Sequence, residues 1–192
     1  MSFGSEAVGL ARAAIESEVR GTPIDRGTTD DRFADASGAF VTLSTYPGHD
    51  LRGCIGFPMP LFQLGRAIEE AARAACHDPR FPDLREAELD SVTVEVTVLT
   101  VPEEMVADCP DELVSEVVIG RDGLIIEYGG HRGLLLPQVP VEWGWDAREF
   151  LAHLSLKAGL PPDAWTYKGA RISAFRGEIY TEATPYGDIT EG

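Results

Sequence analysis

The stretch "HDLRGCIGF", His49–Phe57, sets a cysteine between two glycines, with an arginine two residues ahead of it. It follows "AFVTLSTY" and the turn-forming Pro47-Gly48-His49-Asp50. Two runs of strand-type residues around a short polar turn read as a β-hairpin. Side chains alternate along a strand. Arg52 and Cys54 are therefore expected on one face, and Leu51, Gly53, Ile55 and Phe57 on the other. A cation beside a thiol favours the thiolate. Gly53 and Gly56 strip bulk from the strand, as a close backbone or a bound ligand would require. The same pattern suits plain packing, because a free cysteine behaves as a small hydrophobe.

Outward from the hairpin, the periodicity predicts a helix over Ser5–Arg20. Val8, Ala11, Ile15 and Val19 fall near one face, and Gly21-Thr22-Pro23 ends it. "DRGTTDDRFADASG", residues 25–38, is polar and reads as a loop. Residues 61–77 read as an amphipathic helix with Leu61, Leu64, Ile68, Ala71 and Ala75 as its core stripe. "DPRFPDL" is a proline-bounded loop. "SVTVEVTVL" is the cleanest strand, with Val92, Val94, Val96 and Val98 on one face. "VVIG" and "LIIEY" around Arg121-Asp122-Gly123 predict a second hairpin. Pro137 within the apolar "LLLPQV" suggests an edge strand or a bulge. Asp146–Ala158 reads as a helix capped by Asp146 and ended by Gly159. "ARISAFRGEIYTE" reads as the last strand. Helices and strands mix without a βαβ rhythm, so the fold class is α+β.

The 192 residues suffice for one large domain or two small ones. The net charge is −16, and Lys157 and Lys168 are the only lysines. An acidic, lysine-poor surface stays hydrated in concentrated salt, where its self-repulsion is screened. We therefore expect a halophilic source. The charge argues against non-specific nucleic-acid binding, although a local basic cleft inside an acidic envelope is compatible with it. No apolar run spans a bilayer, and the N-terminus lacks a signal-peptide pattern. The expected location is the cytoplasm. Cys54, Cys76 and Cys109 form no CxxC pair and are expected as free thiols. No GxGxxG, Walker loop, HExxH, GxSxG motif or metal cluster occurs, so the motifs leave the cofactor unknown and name no metal ligand.

A cysteine nucleophile needs a base. His49 lies in a turn, His153 in a helix pattern and His77 at a helix end, where the macrodipole favours an imidazolium. His131, in the glycine-rich "GGHRG", is the one whose surroundings suggest a site. Asp78 and Arg80 flank a proline in a stiff loop. Arg80 can fork onto a ligand's carboxylate or phosphate, or simply pair with Asp78 or Glu95 while Phe81 plugs the core. Glu95 needs a partner if its own face is covered. Gln138 offers both a donor and an acceptor.

"LRGCIG" resembles the signature hexapeptide of the AMMECR domain family, the AMMECR-one proteins of archaea, bacteria and eukaryotes. "DPRFPDL", "VEVTVLT", "IGRDGLIIEYGGHRGLLLPQV" and "FLAHLSLKAGLP" follow in the family's order, and the likeness is strong from about Phe40 to Glu182. It implies a two-lobed α+β domain with a mostly antiparallel sheet flanked by helices. The larger lobe takes approximately 1–60, 85–105 and 160–192, and the middle of the chain makes the smaller one. It places Arg52, Gly53, Cys54, Gly56, Asp78, Arg80, Phe81, Glu95 and Gln138 around a cleft. It further implies a nucleotide, RNA or peptide ligand and partners such as a Memo-type protein or a radical-SAM enzyme. It assigns no reaction. Three readings follow: a cleft-based binding module, a cysteine-dependent enzyme using Cys54, and a strand whose cysteine and glycines only pack.

Overall fold

The computed structural model describes residues 2–24 and 30–192. In chain order the elements are α1 (Phe3–Arg20), β1 (Ala39–Thr45), β2 (Leu51–Phe57), α2 (Leu64–Ala75), β3 (Val92–Leu99), β4 (Glu103–Glu104) and α3 (Pro110–Glu116). Then come β5 (Gly123–Tyr128), β6 (His131–Leu135), α4 (Gln138–Trp143), α5 (Ala147–Lys157), β7 (Arg171–Phe175), β8 (Gly177–Glu182) and β9 (Ile189–Glu191). They form two antiparallel sheets in an α+β fold, one of order β2-β1-β3-β8-β9 and one, from mid-chain strands, of order β4-β7-β5-β6. The chain divides into two compact units, Met1–Leu99 with Glu178–Gly192, and Thr100–Gly177.

In the first unit the period-2 pattern of β1 and β3 does what it predicts. Ala39, Val41 and Leu43, with Val92, Val94, Val96 and Val98, are buried in one core with the inner faces of α1 and α2. Ser2 caps α1 by accepting from the Ser5 amide, and Gly21 ends it in the left-handed region. The N-terminal helix is locked to the returning C-terminal strand by a buried ion pair. Arg12 Nε donates to Glu182 Oε1 at 3.1 Å, and Arg12 Nη2 bonds Glu182 Oε2 and, at 2.9 Å, the Val92 carbonyl. Glu182 Oε2 also accepts from the Val94 amide at 2.9 Å, so the buried charges are both paired and hydrogen-bonded.

The second unit packs α5 against the sheet through Leu124, Ile126, Phe150, Leu151, Leu154 and Ile172. Asp146 caps α5 as read, in a reciprocal capping box with Glu149.

Several expectations are corrected. "VVIG" is not a strand. It follows α3 and turns, because Asp122 accepts from the Val118 amide at 2.9 Å and holds that segment in a loop. The hairpin is β5–β6, turning on Gly129 and Gly130, both at positive φ. Pro137 precedes α4 and Gln138 starts it, so neither lies in a strand. "ARISAFRGEIYTE" breaks at Arg176 into β7 and β8, one in each sheet. Leu61 lies outside α2 and is 70% exposed, while Phe62 packs on the core. Of the polar loop, residues 25–29 lie outside the described residues, and Asp31–Ala34 make a 3-10 turn with Phe33 buried.

Candidate functional site

β2 is an edge strand. Its residue Cys54 stands opposite Thr42 of β1, which stands opposite Glu95 of β3. Thr42 Oγ1 donates to Cys54 Sγ at 3.3 Å, and Thr181 Oγ1 of β8 donates to Glu95 Oε2 at 3.1 Å. Cys54, Thr42, Glu95 and Thr181 thus form a half-buried polar row across four strands. It lies on the face opposite the buried valines, as alternation requires.

The outward edge of β2 at Cys54 is closed by the loop after α2. The Cys54 amide donates to Asp78 Oδ2 at 2.9 Å, and Arg80 Nη2 donates to the Cys54 carbonyl at 3.3 Å. Asp78 also accepts from the Arg80 amide at 3.0 Å, from Arg80 Nε at 3.0 Å and from Nη2 at 2.7 Å. The Arg80 guanidinium, with help from the Cys54 and Arg80 amides, holds the Asp78 carboxyl well below the usual carboxylate range. Asp78 is buried to 1% exposure, whereas the Arg80 side chain remains 56% exposed. A buried carboxylate therefore fixes an outward-facing cation beside Cys54.

Arg52 does something else. Pairing steps between Leu43/Gly53 and Ser44/Leu51, leaving Arg52 as the extra residue of a bulge. The strict alternation expected for Arg52 and Cys54 fails there. The Arg52 guanidinium forks onto Glu88, Nε to Oε1 at 2.8 Å and Nη2 to Oε2 at 3.2 Å, and its side chain is 11% exposed. It anchors β2 to the turn at Glu86–Ser91, with its charge neutralised. The glycines are explained by the chain itself. A Cβ on Gly53 would sit 2.4 Å from the Ala75 carbonyl oxygen, and one on Gly56 would sit 2.3 Å from the Phe40 ring.

The chain matches the AMMECR1 family over residues 8–180. The chain belongs to the AMMECR1 family. Protein MJ0810 of Methanocaldococcus jannaschii is 52% identical over 98% of this chain and 94% of that protein. A protein of Methanocella arvoryzae is 50% identical over 98% of this chain and 95% of its own length. The crystal structure of uncharacterized protein PH0010 from Pyrococcus horikoshii is similar at a TM-score of 0.73 and 45% identity, covering 98% of this chain and 96% of that one.

In this AMMECR1 chain, Arg52, Gly53, Cys54, Gly56, Asp78, Arg80, Phe81 and Glu95 fall in the first unit, and His131 and Gln138 in the second. Direct bonds join Cys54, Asp78 and Arg80, and Arg80 lies over Phe81 at 5.7 Å. Among the described residues no histidine bonds Cys54. His77 is held between Asp83 at 3.0 Å and Glu18 at 3.1 Å, which favour its charged form. His153 stacks on Trp145. His131 Nδ1 meets the Ala158 carbonyl at 3.1 Å. Gln138 is exposed at the start of α4. Of the other thiols, burial pushes Cys76 up to about 12, and Cys109 is exposed. Thr42, Thr181 and Glu88 were not singled out from sequence. The period-2 rule puts Thr42 on the Cys54 row once the hairpin is drawn, but nothing local marks Glu88 as the partner of Arg52. No group of three or more His, Cys, Asp or Glu among the described residues could hold a metal ion. No described helix is long and apolar enough to cross a membrane.

Proposed function

We propose that this AMMECR1 protein is a binding module that takes an anionic group of a nucleotide, an RNA or a partner peptide at the Cys54 edge. It would act without turnover in a modification pathway, with a Memo-type protein or a radical-SAM enzyme as the partner to test, and in the cytoplasm. The observation that carries this reading is the Asp78–Arg80 pair. The carboxylate is buried and orients the guanidinium, yet more than half of the arginine side chain faces solvent. An arginine whose rotamer is already fixed loses little entropy on gripping a phosphate or carboxylate. Arg52 is likewise paired, with Glu88, but its side chain is only 11% exposed, against 56% for Arg80.

The test is footprinting of Cys54. In a Cys109→Ser background, alkylation of Cys54 is followed with and without inorganic phosphate, a nucleoside monophosphate, a short RNA or an acidic peptide. Protection by one of these, lost in Arg80→Ala and kept in Arg52→Ala, supports the module. The alternative, a cysteine-dependent enzyme, draws on the hydroxyl that Thr42 directs at Cys54 Sγ. Activity in any assay that Cys54→Ser abolishes, while Arg80→Ala leaves binding intact, would favour it.

A further inference from the structure

The second unit carries a different feature, at the end of its sheet. Glu127 of β5 stands directly opposite Arg132 of β6 and directly opposite Arg171 of β7. One carboxylate therefore lies between two guanidiniums in a row across three strands. Its oxygens meet Arg171 Nη2 at 2.7 Å and Arg132 Nε at 3.5 Å. The two arginine side chains are 46% and 61% exposed. Three charges in this arrangement sum to one uncompensated cation, held in a fixed geometry.

The row borders a hollow of about 360 Å³, lined also by Tyr128, Gly129, Gly130, His131 and Gly169. Glu127 is the single carboxylate of that lining. His131 Nδ1 can bond the Ala158 carbonyl only as a donor, which leaves Nε2 free for a ligand. Tyr128 offers an aromatic face, steadied edge-on by Tyr167 at 5.6 Å. In a chain of net charge −16, two exposed arginines set against one carboxylate are a local excess of positive charge. Another hollow of the unit, at Arg121 and Arg176, is lined by Glu103, Glu104 and Glu116 as well as Asp122, so its charge disfavours an anion.

The geometry points to a second ligand site, within the second unit, at which Arg132 and Arg171 grip the phosphate of a nucleotide-sized phosphomonoester. Arginine forks match phosphate oxygens. The volume is in the range of small-ligand sites. Tyr128 and His131 supply a stacking face and a polar contact for the remainder of the ligand.

The test uses the full chain and backbone amide NMR. Adenosine 5′-monophosphate is titrated in, with adenosine as the phosphate-free control and a five-nucleotide single-stranded RNA as a competing source of phosphate. The nucleotide is expected to shift amides within 128–132 and 169–171, with adenosine shifting them at least tenfold less effectively. Arg132→Gln with Arg171→Gln is expected to weaken the nucleotide's effect on those amides at least tenfold, while Arg66→Gln, at a surface arginine of α2 outside both sites, leaves it unchanged. Shifts confined to other residues, equal binding by the double variant, or equal binding of adenosine would overturn the site. A short RNA that binds there tenfold more tightly than the nucleotide would overturn the mononucleotide assignment. Because the readout in the unsubstituted chain is residue-specific, it stands even if the double variant fails to fold.

Discussion

Asp78 sits at the centre of the Cys54 edge, accepting from two amides and a guanidinium while almost wholly buried. Asp78→Asn keeps the shape but turns acceptor capacity into donors that face other donors. It should cost about 1–3 kcal/mol, the usual consequence of stranding buried polar groups, read as a lower denaturant midpoint at neutral pH. The pH dependence has a definite sign. The folded-state pKa of Asp78 is depressed below its ordinary 3.8. Its stabilising contribution is therefore complete above that value and is lost as the pH falls through it toward the lower folded-state value. The unsubstituted protein should lose stability more steeply than Asp78→Asn does as the pH falls below about 3.8. Parallel acid limbs would contradict the assignment. Gly53→Ala tests the other residue-scale statement. With the new methyl 2.4 Å from a backbone oxygen, destabilisation by about 1–3 kcal/mol or more is expected from overpacking, and a neutral substitution would show that β2 can move off α2.

At the level of elements, what could be read from sequence follows from where the signal is local. β1 and β3 announce themselves through alternation, β2 through the turn that joins it to β1, and α5 through Asp146 and Gly159, since capping, turning and pleating are decided by nearest neighbours. Elements whose strand-like residues are overruled by a side-chain bond or by the packing of the unit stay hidden. The segment "VVIG" has strand-forming residues, but Asp122 and α3 place it in a turn. Pro137 looks like a strand interruption and instead precedes a helix. The break at Arg176 sends β7 and β8 to separate sheets, and no local residue pattern encodes that. The site divides in the same way. The motif residues were legible, and Asp78 was among the partners weighed for Arg80. The bulge that turns Arg52 to Glu88, 36 residues on, was not. The joint between α1 and β8 yields a prediction at this scale. Arg12→Ala leaves Glu182 buried without its cation and should cost about 3–5 kcal/mol. Because that pair fastens the two ends of the first unit, proteolysis of 178–192 should accelerate in the variant. An unaltered rate would show that the strand is held by other contacts.

At the level of the whole molecule, net charge governs solution behaviour more than fold. With 32 acidic against 16 basic residues, self-repulsion destabilises the folded state in dilute buffer and is screened by salt. Melting temperature should rise from dilute buffer into molar potassium chloride, and a maximum in dilute buffer would count against a halophilic origin. The same charge makes each exposed, pre-oriented arginine conspicuous as a recognition element. Arg80 in the first unit is the clearest, and the binding proposed above rests on that one side chain. The most direct measurement is the alkylation rate of Cys54 in the Cys109→Ser protein, with and without the anionic probes, in the presence and absence of Arg80→Ala. At least one probe is expected to slow the reaction, and removing the Arg80 guanidinium is expected to abolish the protection. Equal rates under every condition, with Cys54 labelled freely throughout, would contradict it.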